Sequence, residues 1–540
     1  MKKFVWLLTC VLTACSPLVT ATPVPTAEAT RTPAPTQTVI APSATPPIPT
    51  ATLTQTPSTA TPTPVSTSTP SPAITPPSTA IGDWRDLTPY RAAMRSEFAA
   101  DVDQFAQATQ YKIDLTIAPN LAGYTATQQV HFVNRQTTPL DKIYFRLYPN
   151  APTYGGKLTI STLQVNGAQV QPMLEAGNTA LRIDLQPPLK PQAAVDFTMI
   201  YQAQVPTTLN DSGYNLFVSY SHTLSLANFY PLIPAYDEQG WHIEPATKYG
   251  DATYSETALY QVDIVAPADQ VVATSGVCQT TNDSTTKTWH CVSGPMRDFM
   301  IAMSADYQVE SSTIDGVKVN SYFWKNDKVG AQLLWNTGIT SLQSFEKRIG
   351  AYPFNEMDIL ETPTTAGGCE FPGLMVSAAD AYSDETLFAA HEVAHQWWYS
   401  LVGDDQVNEP WLDEALATFT TYLWMQDEDG PETFQQVIDA AWKRYSQVKG
   451  KADDRRVDLP ADSYASVGQY AMNVYRKGAL FFNALYEEMG DEKFNRFLQA
   501  YFKANRYGIA HKADLLKALA TQLDQQTLDA LLKQWVTTPE

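Results

Sequence analysis

The sequence predicts an α+β, multidomain protein: an N-terminal antiparallel β domain followed by an α-rich domain with a small sheet. Three observations carry that prediction. Apolar residues alternate with period two from residue 111 to about residue 310. Beyond Lys328 the apolar spacing lengthens to three and four residues, the period of helices. The first 82 residues follow neither pattern.

Those first residues are a leader and a spacer. Lys2 and Lys3 precede an apolar run that ends in Leu12-Thr13-Ala14-Cys15, which describes a secretory signal over residues 1–15. Small residues before a cysteine resemble a bacterial lipobox, so Cys15 is expected to be lipidated and to tether the protein to the membrane; an ordinary signal peptide with an incidental cysteine is the alternative. Residues 16–82 are a Pro/Thr/Ser-rich stretch, and 16 of the chain's 38 prolines fall between Ser16 and Ala80. Such a composition buries too little apolar surface to offset chain entropy, so a disordered, semi-rigid stalk is expected. A secreted, lipid-anchored protein at the outer face of a bacterial cell membrane follows as the expected location. The formal net charge of -20 repels phosphate backbones and argues against nucleic-acid binding. After the leader there is no further apolar run of 18 residues.

The β domain is expected over residues 83–310 and the α-rich domain over 311–540. Residues 84–108 read as helical. Tyr111, Ile113, Leu115 and Ile117 alternate with polar residues, and Asn166-Gly167 marks a tight turn between strands. Cys278 and Cys291 flank a polar stretch and form either a hairpin disulfide or two thiols. In the second half, residues 330–347, 386–399, 410–426, 471–489, 492–502 and 511–535 read as helices. Residues 357–361 suggest a strand leading into a glycine-rich turn.

One constellation carries chemistry. His391-Glu392-Val393-Ala394-His395 lies in a helical pattern, with Ser383 as a plausible cap and Asp384 and Glu385 suited to the first turn. Residues four apart share a helix face, so both imidazoles can reach one Zn²⁺, with Glu392 beside them to touch a water rather than the metal. Zinc needs a third ligand while keeping one position open. Glu414, separated from His395 by eighteen intervening residues, sits in a second helix expected to be capped by Asn408, and a returning helix can bring it to the metal. Asp413 and Glu409 are candidate acceptors for the ligands' N–H groups.

His-Glu-x-x-His, eighteen residues, then Glu414 within Trp-Leu-Asp-Glu-Ala resembles the gluzincin aminopeptidases of peptidase family M1, which include membrane alanyl aminopeptidase and leukotriene hydrolase. The resemblance covers residues 110–535 in organisation and is sharp over 352–500. It implies a thermolysin-like catalytic domain behind the β domain, and one zinc ion held by His391, His395 and Glu414. It makes Glu392 the base. Tyr475-Arg-Lys-Gly478 matches the segment whose tyrosine stabilises the oxyanion, which points to Tyr475, with Tyr470 as the fallback. Gly367-Gly368-Cys369-Glu370-Phe371 stands where the family has Gly-x-Met-Glu-Asn. There the glutamate binds the substrate's α-amine and the glycine backbone lines the substrate, roles that fall to Glu370, Gly367 and Gly368. Cys369 and Phe371 depart from the pattern, and a second amine-binding residue is not located in the β domain.

The expected activity is zinc-dependent removal of N-terminal residues from peptides. The chain stops about where the catalytic domain should end, so a more open cleft and internal cleavage are the alternative within the same chemistry. A non-catalytic, peptide-binding lipoprotein on a peptidase fold is the alternative outside it.

Overall fold

In the computed structural model of the chain, which describes residues 83–210, 213–378 and 385–539, the period-two stretches become strands. Ile113, Leu115 and Ile117 point to one buried face of the strand Gln110–Ile117. That strand lies inside an eight-stranded sheet. From edge to edge the order is Val277–Asn282, Thr286–Val292, Leu259–Pro267, Gln110–Ile117, Gly123–Val133, Ala194–Gln204, Lys157–Val165 and Ala168–Gln169. The sheet is not wholly antiparallel as expected: Gln110–Ile117 pairs in parallel with Leu259–Pro267. A parallel neighbour needs a long crossover, and here most of the β-rich half intervenes. The Asn166-Gly167 turn is present, with both residues at positive φ (48° and 79°), as a two-residue hairpin turn requires. Cys278 and Cys291 face each other in register on neighbouring strands and are disulfide-bonded.

Residues 84–108 form no α-helix. Two 3-10 helices, Pro89–Ala93 and Ser96–Phe105, occupy the stretch and bury only Tyr90, Ala93 and Val102. So narrow a stripe cannot hold a long helix against the body.

The second half holds nine α-helices among the described residues: α1 Lys328–Arg348, α2 Glu385–Ala394, α3 Trp411–Asp429, α4 Pro431–Tyr445, α5 Val467–Ala471, α6 Gly478–Met489, α7 Asp491–Asn505, α8 Lys512–Leu519 and α9 Gln525–Trp535. A π-helical turn, Met472–Lys477, joins α5 to α6. Helix α1 starts where Asp327 accepts a hydrogen bond from the Gly330 amide (2.9 Å). Helix α4 is absent from the sequence reading, although Gly430 and Pro431 punctuate its start and Phe434, Val437, Ile438, Ala441 and Tyr445 give it a helical buried stripe. The expected helix 511–535 is two helices. The expected helix 386–399 ends at Ala394, and Tyr399 takes a positive φ (110°), which no continuing helix allows.

A five-stranded sheet stands beside these helices, ordered Tyr307–Ile314, Val317–Trp324, Glu356–Thr362, Leu374–Ala378 and Gly368–Phe371. The expected division at residue 310 thus falls inside a strand. The glycine-rich segment is no turn but the edge strand of this sheet, antiparallel to Leu374–Ala378. The leader, Cys15, the stalk, Ser383 and Asp384 lie outside the described residues.

Candidate active site

Helix α2 delivers His391 and Glu392, and His395 follows one turn later, its amide still bonded to the His391 carbonyl (3.2 Å). Helix α3 returns with Glu414 as its fourth residue. The expected cap of α3 is not Asn408. Pro410 holds the cap position without a side-chain bond, and Asp405 organises the approach by accepting from the amides of Val407 and Asn408 (3.1 and 3.0 Å). Asn408 donates its own side-chain amide to Asp405.

The three expected ligands converge. His391 Nε2 lies 3.0 Å from His395 Nε2 and 3.1 Å from Glu414 Oε2, and His395 Nε2 lies 3.3 Å from the same oxygen. All three residues are buried. Two N/O ligands of a tetrahedral zinc ion stand about 3.4 Å apart. The cluster matches that spacing, so the residues present fit zinc. The second ring nitrogen of His395 is held by the Trp398 carbonyl (2.8 Å), which fixes the ring. The acids considered for that task do other things: Asp413 accepts from the Glu414 amide and from Gln406, and Glu409 pairs with His511. Hydrogen bonds from both histidines hold the Glu414 carboxyl down at about 2 in spite of its burial.

Glu392 is fully buried, and neither carboxylate oxygen has a hydrogen-bond partner. Burial pushes its carboxyl well above the ordinary range, with His395 pulling the other way. A polar group so placed stays costly unless something else meets it. Gly368 makes the position available: a Cβ there would stand 2.4 Å from Glu392 Oε1. Tyr475 sits in the π-helical turn and donates its hydroxyl to Glu414 Oε1. Short π turns recur at functional sites because they re-aim a side chain. Tyr470 instead points its hydroxyl at Gly250, whose absent Cβ would lie 2.2 Å away.

Glu370, on the edge strand, is 3% exposed; one oxygen accepts from Gln406 Nε2 (2.9 Å) and the other has no hydrogen-bond partner. Burial and then the Asp251 carboxylate drive its carboxyl upward. Gly367 and Gly368 lie on the same edge, Gly367 accepting from the Ala378 amide (3.0 Å). Glu370, with Cys369, Phe371 and Gln406, lines a cleft that Tyr154, Tyr214, Phe217, Asp251 and Tyr399 also border; Gly367, Gly368 and the three expected ligands are not among its lining residues. Asp251 and Gln406 are absent from the sequence reading. Asp251 comes from the β-rich half, in a Tyr-Gly-Asp-Ala stretch without pattern, and meets Glu370 only through the tertiary fold. Gln406 had no signal beyond its place between the two motif helices.

Two histidines one turn apart and a glutamate from the next helix thus form, behind a β-rich half, a cluster that can hold one metal ion. Residues 336–535 match the Peptidase family M1 domain. The M1 zinc metallopeptidase of Deinococcus radiodurans superposes with a TM-score of 0.60 at 19% identity, over 80% of this chain and 94% of that one. A mutant form of the Deinococcus enzyme, solved with a Tyr-Ser-Ala substrate, superposes equally well (0.61, 18% identity, 81% and 95% covered). Aminopeptidase M1 of Arabidopsis thaliana is 27% identical over 54% of this chain and 34% of its own length. Endoplasmic reticulum aminopeptidase 2 of Homo sapiens is 27% identical over 40% of this chain and 24% of its own. The chain thus spans about a third of the length of the curated relatives that it matches, or less.

Proposed function

We propose that the chain is a zinc-dependent aminopeptidase that removes single residues from the free N-termini of peptides. The observation that carries this reading is the buried convergence of His391, His395 and Glu414 beside the partnerless carboxylate of Glu392. Zinc bound by the three ligands would supply Lewis acidity, polarising a peptide carbonyl and lowering the pKa of water. Glu392 takes the proton of the attacking water and passes it to the leaving amine. Tyr475 donates a hydrogen bond to the carbonyl oxygen as negative charge grows there. Glu370, where the edge strand borders the cleft, holds the substrate's ammonium, so the scissile bond lies one residue in. The edge backbone at Gly367 and Gly368 lines the substrate strand, as an open sheet edge can.

Named relatives that are aminopeptidases support this reading, as does the peptide bound by the Deinococcus neighbour. The test compares aminoacyl chromogenic substrates with free and acetylated N-termini, before and after chelation and zinc return. The reading expects cleavage of the free form alone, lost on chelation and restored by zinc. Equal cleavage of acetylated substrates would favour an endopeptidase, and zinc content without hydrolysis of either would favour a binding protein.

Location belongs to the same proposal. The Lys2-Lys3 leader, Cys15 and the stalk of residues 16–82 support a lipid anchor on the outer face of a bacterial membrane, with residues 83–540 held away from it. Replacing Cys15 with serine should release the protein from the membrane fraction. A protein that remains there rejects the anchor.

A further inference from the structure

The proposed reaction makes no use of Cys369. Its thiol lies on the edge strand between Gly368 and Glu370, buried, with Sγ 3.6 Å from Asp251 Oδ1. That sulfur, one oxygen of Asp251 and one oxygen of Glu370 all stand within 4.8 Å of one another. In a tetrahedral zinc site with Zn–S near 2.3 Å and Zn–O near 2.1 Å, a sulfur and an oxygen ligand are about 3.6 Å apart. The Cys369–Asp251 pair therefore already has the edge length of such a site.

A second observation points to a cation. Glu370 Oε2 and Gln406 Oε1 are acceptors of side chains 3% and 2% exposed, neither with a hydrogen-bond partner, and both residues border the same end of the cleft. Buried acceptors without donors are what a positive ligand satisfies. An ammonium would do so through Glu370 alone or with its neighbours. The thiol adds a preference that an ammonium does not exploit, because thiolate selects soft divalent ions.

We propose that Asp251, Cys369 and Glu370 form a second divalent-cation site, selective for thiophilic ions such as Zn²⁺ and Cd²⁺, and that its filling excludes the substrate's N-terminal ammonium. On binding, the Cys369 thiol releases its proton to solvent and the S–metal bond takes its place. The site itself stands without the aminopeptidase reading; the exclusion of substrate rests on that reading, through the role given to Glu370. Excess zinc would then inhibit by occupying the amine end of the cleft rather than by displacing the ion at His391, His395 and Glu414.

The test titrates the full chain, loaded with one equivalent of zinc, with Cd²⁺. Bound metal is counted after gel filtration, and the ultraviolet charge-transfer band of a cadmium thiolate is followed; neither readout needs turnover. The expected result is a second equivalent that carries the band. In Cys369→Ser the band vanishes and the second equivalent binds at least about 10-fold more weakly. Asp251→Asn, which keeps the thiol, should weaken the same equivalent and guards against a serine variant that fails to fold. A peptide with a free N-terminus should raise the Cd²⁺ needed for half-saturation, and its acetylated form should not. A single equivalent in the wild type, or a band that survives in Cys369→Ser, overturns the site. A band that free and acetylated peptides leave equally unmoved overturns the competition, whether or not the chain proves to hydrolyse peptides.

Discussion

Glu392 shows how much of the chemistry is decided by single side chains. Its carboxylate has no donor, lies against Gly368 and stands beside the ligands without joining them. Glu392→Gln keeps shape and volume but removes the proton acceptor, so zinc content should be unchanged and kcat should fall about 10²- to 10⁴-fold; a rate within twofold of wild type would refute the base assignment. Gly368→Ala acts on the same group from the other side. The added Cβ would lie 2.4 Å from Glu392 Oε1 and must push it aside. Because φ at Gly368 is not in the left-handed region, the strand accepts alanine, and kcat should drop by as much as about 10²-fold with little change in Tm. Tyr475 has two attachments to the site, one proposed to the substrate and one observed to Glu414. Tyr475→Phe should therefore lower kcat by about 10²- to 10³-fold and also weaken zinc about 10-fold or more, because an acceptor bond on a ligand is lost. Equilibrium dialysis beside steady-state kinetics separates the two effects.

Between α2 and α3 the chain makes a loop that has to be held in place, and the β-rich half holds it. Arg297 donates to the carbonyls of Ser255, Ser400 and Gly508 (3.0, 3.3 and 2.9 Å), tying that half to the loop. Asp298 accepts the Tyr399 hydroxyl, at the residue whose positive φ ends the α2 region. Burial raises the Asp298 carboxyl to about 7, against an ordinary 3.8. A folded pKa above the unfolded one means that the native state holds the extra proton between those values. Stability is therefore lost as pH rises from about 4 to 7 and is flat beyond, by at most roughly 4 kcal/mol. Asp298→Asn still accepts from Tyr399 but does not titrate, so its Tm should lack this decline; parallel profiles for both proteins would refute the assignment. Helices α1, α3 and α6 follow from their apolar spacing, whereas α4 was overlooked despite its Gly-Pro start. The π turn that aims Tyr475 is invisible in spacing, since one extra residue per turn leaves no mark on a short apolar pattern.

Across the molecule, the ligand cluster stitches α2 to α3, and the cleft is walled by both halves of the fold. Metal that binds only the folded state stabilises it by mass action. Chelation should lower Tm, and zinc return should restore it in step with bound metal; in Glu414→Gln, where one ligand is weakened, the shift should shrink. A Tm indifferent to chelation would mean that the three residues do not hold an ion.

Glu370 was reached only through the family resemblance, whereas the convergence of His391, His395 and Glu414 and the order of β-rich and α-rich halves were legible in the sequence. The last two rest on short spacings or on local periodicity, which the chain carries in itself. Local pattern could not reveal the parallel pairing of Gln110–Ile117 with Leu259–Pro267, the disulfide in place of two thiols, or the meeting of Asp251 with Glu370 and Cys369. Those are contacts between residues over a hundred positions apart, or choices between two chemically sensible partners. Only the packing of the whole chain brings such groups within a few ångströms, and that proximity sets their charge, their partners and their use.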